Sequence, residues 1–228
     1  MFASGHSLPR MLPQTHSRGV VIPHLQGGLG NQLFQIAHAY ETAQRMGAQL
    51  MLDFSLPWFA GQGLPPATYA DTFYRRIHKG QVPGNHSVVL RGYWQDPSYW
   101  SNPAEIRELF RFWTPERHPD LCAIHIRGGD YENQRHLYPE ILGEWYRRQM
   151  LNAPGEWVKV FTDDTAYART ILPEMEMETG DAFVEMANAR SLVMANSTYS
   201  WWAAFLGEIP CVLPPPVWTA NAPMPWLP

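Results

Sequence analysis

Positive charge, cysteine and long apolar runs are all scarce in this chain. Its 228 residues hold 17 Lys and Arg against 21 Asp and Glu, a net charge of −4. A general nucleic-acid binder needs a strong basic field, so that class is excluded. The small basic clusters, Arg75-Arg76-x-His78-Lys79 and Arg147-Arg148, read first as solvated faces and second as a local site. The two cysteines, Cys122 and Cys211, each lie in an apolar, strand-like run. Buried free thiols suit that setting better than a disulfide or a reactive nucleophile. No spacing resembles a zinc site, and no apolar run is long enough to span a bilayer. The start, Met1 to Gly19, is polar, broken by Pro9 and Pro13, and unlike a signal peptide. It reads as a mobile tail. A cytoplasmic location is expected, and peripheral docking on a membrane is compatible with it because docking needs no spanning helix. The sequons at Asn85-His86-Ser87 and Asn196-Ser197-Thr198 then carry little weight.

What the chain does have is a core. Hydrophobic residues make up 45% of it, which excludes wholesale disorder. The most informative stretch is Leu121-Cys122-Ala123-Ile124-His125-Ile126, which runs straight into Arg127-Gly128-Gly129-Asp130-Tyr131. The apolar part has the length and composition of a buried strand. In an open α/β sheet, ligands bind just beyond the carboxyl ends of strands. Arg127 therefore stands where an anionic ligand would sit, and Gly128 and Gly129 leave room for close backbone approach. That points to an enzyme or binder of a phosphorylated small molecule.

Alternating elements surround this stretch. Val20–His24 reads as a strand, Gln26–Asn31 as a glycine turn, Asn31–Met46 as an amphipathic helix, and Gln49–Asp53 as the next strand. Leu33, Ile36, Ala37, Tyr40 and Ala43 recur at helical spacing, and Gly47 is a C-cap. Residues 54–87 show no clear periodicity and read as loops and short helices. Val88–Tyr93 is a strand and Asp96–Phe112 mostly helix, with Pro103 near a helix start. Trp113–Pro119 is the best linker. A second series follows: strand 121–126, helix 140–151, strand 157–161, helices 165–171 and 181–189, strand 191–195, helix 199–206 and strand 210–213. From Pro214 the chain is Pro-rich and irregular. No internal repeat is visible. The order predicts two small doubly wound units, residues 20–114 and 115–228, facing a cleft.

Three further segments bear chemistry. Gly27-Gly28-Leu29-Gly30-Asn31 could hold a phosphate on backbone N–H groups at a helix N-terminus. Taken alone, it reads better as an ordinary turn with Asn31 as N-cap. Asp53 is suitably distant for a nicotinamide-cofactor site, but the glycines do not spell GxGxxG. The strand Val158–Thr162 ends in Asp163 and Asp164, which could bind ribose hydroxyls, hold a divalent metal, or cap a helix. Asn196-Ser197-Thr198-Tyr199-Ser200 could bind phosphate at a strand-to-helix junction, or simply cap it with Trp201 and Trp202 as core anchors. Together these parts suit transfer from a nucleotide-sugar. The leaving diphosphate gains charge as the glycosidic bond breaks, and either Mg²⁺ or Arg and helix N-termini must offset it. Arg127 can make charge-assisted, bidentate contacts to phosphate.

The order of motifs resembles the galactoside α1,2-fucosyltransferase family. The matching segments are Gly27–Gln35, Gly92-Tyr93-Trp94-Gln95, His125–Tyr131, Phe161-Thr162-Asp163-Asp164 and Asn196–Ala204, with Val212–Trp218 like the family's closing segment. The likeness covers about residues 25–218. It implies a GT-B-type fold of two Rossmann-like halves and inverting transfer of L-fucose from GDP-L-fucose to the 2-hydroxyl of a β-galactoside. It also implies that no metal is required. On this resemblance Arg127 holds the β-phosphate, His125 and Asp181 lie near the guanine, and Ser197 and Thr198 face the diphosphate. Gly28 and Asn31 lie across the cleft, and Asp163 and Asp164 belong to the donor side. Asp130 is the candidate general base, Glu132 the second, and a water relay the third; a turn cap or an ion pair orienting Arg127 suits Asp130 slightly better than the base does. One departure stands out: the family reads His-x-Arg-Arg-Gly-Asp, and Gly128 replaces the second Arg. A charge-assisted contact is worth about 1.5–3 kcal/mol, and His24, Arg91 or Arg190 are candidates to supply it. The stretch between Asp53 and Arg91 is also compact for the family. Two alternatives follow: transfer from another GDP-sugar or to another acceptor, and a catalytically weak nucleotide- or carbohydrate-binding relative.

Overall fold

The computed structural model describes residues 19–58, 63–81, 87–179 and 182–227. Most of the expected tail, and Asn85 of the first sequon, lie outside them. Two all-parallel sheets account for the strands. The first contains β1 (Val20–Pro23), β2 (Gln49–Leu52), β3 (His78–Lys79) and β4 (Ser87–Leu90) in the spatial order 3-2-1-4. Helix α1 (Leu29–Met46) crosses from β1 to β2 and stops at Gly47, whose φ of 58° suits the left-handed cap.

The chain then passes through α2 (Pro103–Phe110) into a second sheet. Its strands are β5 (His118–Ile126), β6 (Trp157–Thr162), β7 (Met177–Glu178), β8 (Ala189–Val193) and β9 (Cys211–Leu213), in the order 7-6-5-8-9. Helices α3 (Gly143–Asn152), α4 (Thr165–Ile171), α5 (Phe183–Ala187) and α6 (Thr198–Gly207) make the crossovers. Leu121 to Ile126 are all buried, as a central parallel strand covered on both faces requires. Strand order reverses at β1 in one sheet and at β5 in the other. Those are the points where such sheets bind ligands.

One aromatic core joins the sheets. Helix α6 is apolar on nearly every side, and Trp201 and Trp202 are fully buried. Phe34 of α1 lies with its ring centroid 4.7 Å from Trp201 and 5.0 Å from Trp202, and Trp100 packs on both indoles. At their N-terminal ends α1 and α6 touch at Gly30, against the backbone and Oγ1 of Thr198. A Cβ on Gly30 would lie 2.5 Å from the Thr198 carbonyl carbon. Helix α2, its C-cap Arg111 and the stretch expected to act as a linker hold the other end of α6. Arg111 Nε donates to Leu206 O at 2.9 Å, Arg117 donates to Gly207 O at 2.7 Å, and Arg107 donates to Phe205 O at 3.2 Å. Cations here satisfy the last carbonyls of the helix.

Several elements differ from expectation. Asn31 is not an N-cap: Gly28 holds that place, and Asn31 lies inside the first turn of α1. The stretch 96–112 is not one helix. A separate 3₁₀ turn covers Pro97–Tyr99, and α2 starts at Pro103, as that proline suggests, with Asn102 capping it. Helix α5 is shorter than the span 181–189 expected, and β8 starts two residues before the expected 191. Strands β3 and β7, of two residues each, were not expected. Cys122 is buried, Cys211 half-buried, and both are free.

Candidate functional site

Both reversal points open onto one cleft of about 500 Å³. From the first half come Gly28, Leu29, Gly30, Asn31 and Gln95. The second half contributes His125, Arg127, Thr162, Asp163 and the run Asn196–Tyr199.

Arg127 leaves the end of β5 and is the only Lys or Arg among the described residues that line the cleft. Two carboxylates hold its guanidinium: Asp163, by an ion pair at Nη1, and Asp130, whose Oδ1 lies 2.6 Å from Nη2. The Tyr131 ring lies beneath it, 5.2 Å from centroid to Cζ. The Tyr131 hydroxyl is tied to Asn196 O at 3.3 Å, and its ring stacks on Tyr138 at 3.9 Å. The glycines complete this turn. Gly128 N donates to Asp163 Oδ1 at 3.0 Å, and Gly129, at φ 56°, donates to Asp164 Oδ2 at 3.2 Å. Asp164 also caps α4 by accepting from Tyr167 N at 2.9 Å, and that bond holds its carboxyl below the usual range. Burial pushes the Asp130 carboxyl up despite the neighbouring Arg127 charge. So the acidic pair at the end of β6 faces Arg127 and backbone amides. Asp130 makes the ion pair with Arg127 that was one of its three readings.

His125 precedes this turn and is buried at the cleft floor, 4% exposed. Its Nδ1 has no hydrogen-bond partner among the described residues. Burial, helped by the Arg127 charge and opposed by Asp163, takes its pKa down to about 4, so the ring is neutral at physiological pH. Across the cleft, α1 begins at Gly28 with no side-chain cap and no acid in its first turn. Helix α6 begins at Ser197, whose Oγ accepts from Tyr199 N at 3.3 Å, and it too has no acid in its first turn. The positive ends of two helices thus open on one space.

The other expected residues fall out as follows. Asp181 lies outside the described residues; Thr179 and Ala182 on either side of it line the cleft. Glu132 is exposed and does not line it. None of the three residues considered as replacements for the missing cation reaches the site. His24 bonds Pro57 O at 2.8 Å, and Arg91 and Arg190 are exposed elsewhere. Nor does Gly128 leave space for one, because a Cβ there would lie 2.7 Å from Asp164 Cβ and 2.8 Å from Tyr167 Cδ1. Tyr138, Glu178, Trp218 and Thr219 line the cleft without having been singled out for it. They come from a loop, the two-residue strand β7 and a C-terminal segment whose approach only the fold reveals.

No family model matches the chain. An α-1,2-colitosyltransferase of Escherichia coli is 25% identical, with 82% of this chain and 87% of that protein aligned. The O-antigen biosynthesis glycosyltransferase WbnK of Escherichia coli is 32% identical over a shorter stretch, 45% of this chain and 40% of WbnK. Among solved structures, the iron-containing dodecameric glycosyltransferase TibC of enterotoxigenic E. coli superposes with a TM-score of 0.53 at 16% identity, covering 86% of this chain and 58% of TibC. The fold is thus the mixed α/β, parallel-sheet arrangement of GT-B glycosyltransferases. The sequence relatives support glycosyl transfer as the activity.

Proposed function

We propose that the protein is an inverting, metal-independent glycosyltransferase that moves L-fucose from GDP-L-fucose to the 2-hydroxyl of a terminal β-galactoside. The observation that carries this reading is Arg127, held by two carboxylates at a strand-order reversal and facing two helix N-termini free of acid. That arrangement suits a leaving diphosphate. The donor and the linkage are what the resemblance in motif order implies. A cleft of about 500 Å³ is in the range of small-molecule sites.

In the reaction, a base takes the proton of the acceptor hydroxyl and that oxygen attacks the anomeric carbon. The bond from that carbon to the β-phosphate oxygen breaks, and GDP leaves with the electron pair. Arg127 and the α6 N-terminus, with Ser197 and Thr198, offset the charge that develops on the diphosphate. Asp163 keeps Arg127 aimed. Neutral His125 and Asp181 serve the guanine side, with Asp164 and Gly28 shaping the two turns. Asp130 Oδ1 is engaged by Arg127, so as a base it works through Oδ2, which has Gln134 at 3.4 Å. The raised pKa of Asp130 favours that role. The protein works in the cytoplasm and docks peripherally where its acceptor is membrane-linked; no described helix is long and apolar enough to cross a membrane.

Mass spectrometry of products from GDP-fucose and a galactoside panel, lactose included, in the presence of EDTA tests the reading. A fucosylated galactoside is expected. No product together with no GDP-fucose binding would overturn it. A second reading comes from the colitosyltransferase relative: colitose is 3-deoxy-L-fucose, so GDP-colitose belongs in the donor panel. GDP binding without turnover on any glycan would mark a binding protein instead.

A further inference from the structure

The segment Gly92-Tyr93-Trp94-Gln95 is strained. Trp94 has φ 52°, in the left-handed region that bulky residues avoid. Gly92, at φ 147°, makes room for it: a Cβ there would lie 2.9 Å from the Trp94 ring. The indole is held in place by His38 of α1, stacked at 4.2 Å and 10° from parallel. Asp96 N donates to Trp94 O at 2.7 Å, so Gln95 sits at the apex of a three-residue turn. From that apex Gln95 Nε2 reaches Asn31 Oδ1 at 2.8 Å. Thr198 Oγ1, from the other half of the molecule, reaches the same oxygen at 3.1 Å.

An amide oxygen has two lone pairs, and both are taken here. The orientation of the Asn31 amide is therefore fixed from two sides. Its NH₂ makes no hydrogen bond among the described residues, and Asn31 lines the cleft. The residue stands in the first turn of α1, and α6 begins against that same turn. Neither first turn holds an acid. The local field favours an anionic oxygen over a cation.

We propose that Gln95 is a positioning residue: with Thr198 it turns the Asn31 amide so that the NH₂ donates to an anionic oxygen of the leaving diphosphate. The proposal rests on the nucleotide-sugar reading above. It gives the strained turn a purpose, and it makes one hydrogen-bonding group depend on both halves of the molecule.

Asn31→Asp is the sharpest test, because it keeps an oxygen for Gln95 and Thr198 but replaces the NH₂ by a second acceptor. Calorimetry with GDP is expected to show about tenfold or weaker binding, with Tm within about 2 °C of wild type. In the GDP-fucose assay Gln95→Leu is expected to lower kcat by about three- to tenfold and leave acceptor KM within about twofold. If Asn31→Asp binds GDP as wild type does, or Gln95→Leu changes acceptor KM alone, the proposal is overturned. Should Asn31→Asp fail to fold, Gln95→Leu decides: a lower Tm with unchanged kcat would leave only a structural role. If wild type itself binds no GDP, the nucleotide-sugar reading falls and this proposal with it.

Discussion

The two turns that meet in the cleft solve the same problem with different means. The turn after β1 contains glycines, an uncapped helix start and the neutral amide of Asn31. The turn after β5 contains Arg127, clamped by Asp130 and Asp163 and underlaid by Tyr131. One side offers backbone dipoles, which no side-chain change removes. The other offers a point charge whose aim depends on its neighbours. A leaving group gaining charge is served by both, but only the second can lose its full charge to one substitution.

Deleting that charge should produce the largest effect. Arg127→Ala is expected to lower kcat/KM by about 10²–10³, comparable to losing a transition-state donor. Its Tm should move little, because the Asp163 partner is one-third exposed. Arg127→Lys should retain part of the activity, since a point charge survives without the bidentate fork. If stability and activity fall together, Arg127 is structural and the contrast between the turns is lost.

Acid should act next, and chiefly on the charged side. The folded His125 ring titrates near 4 against an ordinary 6.5. Between those values the unfolded chain holds the extra proton. Stability from this ring is thus full above pH 6.5 and is lost as pH falls toward 4, by about 3 kcal/mol at most. His38, on the other side, is also lowered by burial and adds in the same direction. Urea midpoints at pH 7 and pH 4.5 should separate widely for wild type and less so for His125→Gln. An equal separation in both would assign the acid sensitivity elsewhere.

Much of this contrast was legible in the sequence, for physical reasons. A central parallel strand buried on both faces must be a continuous apolar run, so β5 and the exit of Arg127 from it announced themselves. Trp201 and Trp202 behind a Ser/Thr cap read correctly as anchors, because a helix apolar all round must be buried. Other parts had no local signal. Strands β3 and β7 are too short to show a period. Asn31 imitates an N-cap, yet a glycine can begin a helix without a side chain, and Asn31 is used from within the first turn instead. Pro103 marks a helix start in sequence and structure alike, but the separate 3₁₀ turn before it, Pro97–Tyr99, is too short to show a period. Tyr138 and Trp218 reach the cleft through tertiary folding alone.

A smaller effect is expected where the two halves touch. A Cβ on Gly30 would press on the Thr198 backbone, which has no flexible end to yield. Gly30→Ala should therefore cost about 2 kcal/mol as overpacking, despite the better helix propensity of Ala. GDP affinity should fall with it, since Thr198 shifts. Chemical denaturation alongside calorimetry checks both, and unchanged stability would show that the helices part without cost.

The smallest effect concerns the position where a second cation was expected. Gly128 could mean a site that merely lacks an Arg, in which case adding one should help. The packing argues otherwise. The space a side chain would need is filled by Asp164, which caps α4, and by the Tyr167 ring, which is tied to Glu140 at 3.0 Å. Gly128→Ala is thus expected to cost about 1 kcal/mol by forcing that ring aside, and turnover should fall slightly through the Asp163–Arg127 pair. Gly128→Arg should be worse still, not better. The glycine is then the residue that lets α4 approach the β5 turn, and the single cation is a property of that approach. A gain of turnover in Gly128→Arg at unchanged Tm is the result that would sink this explanation.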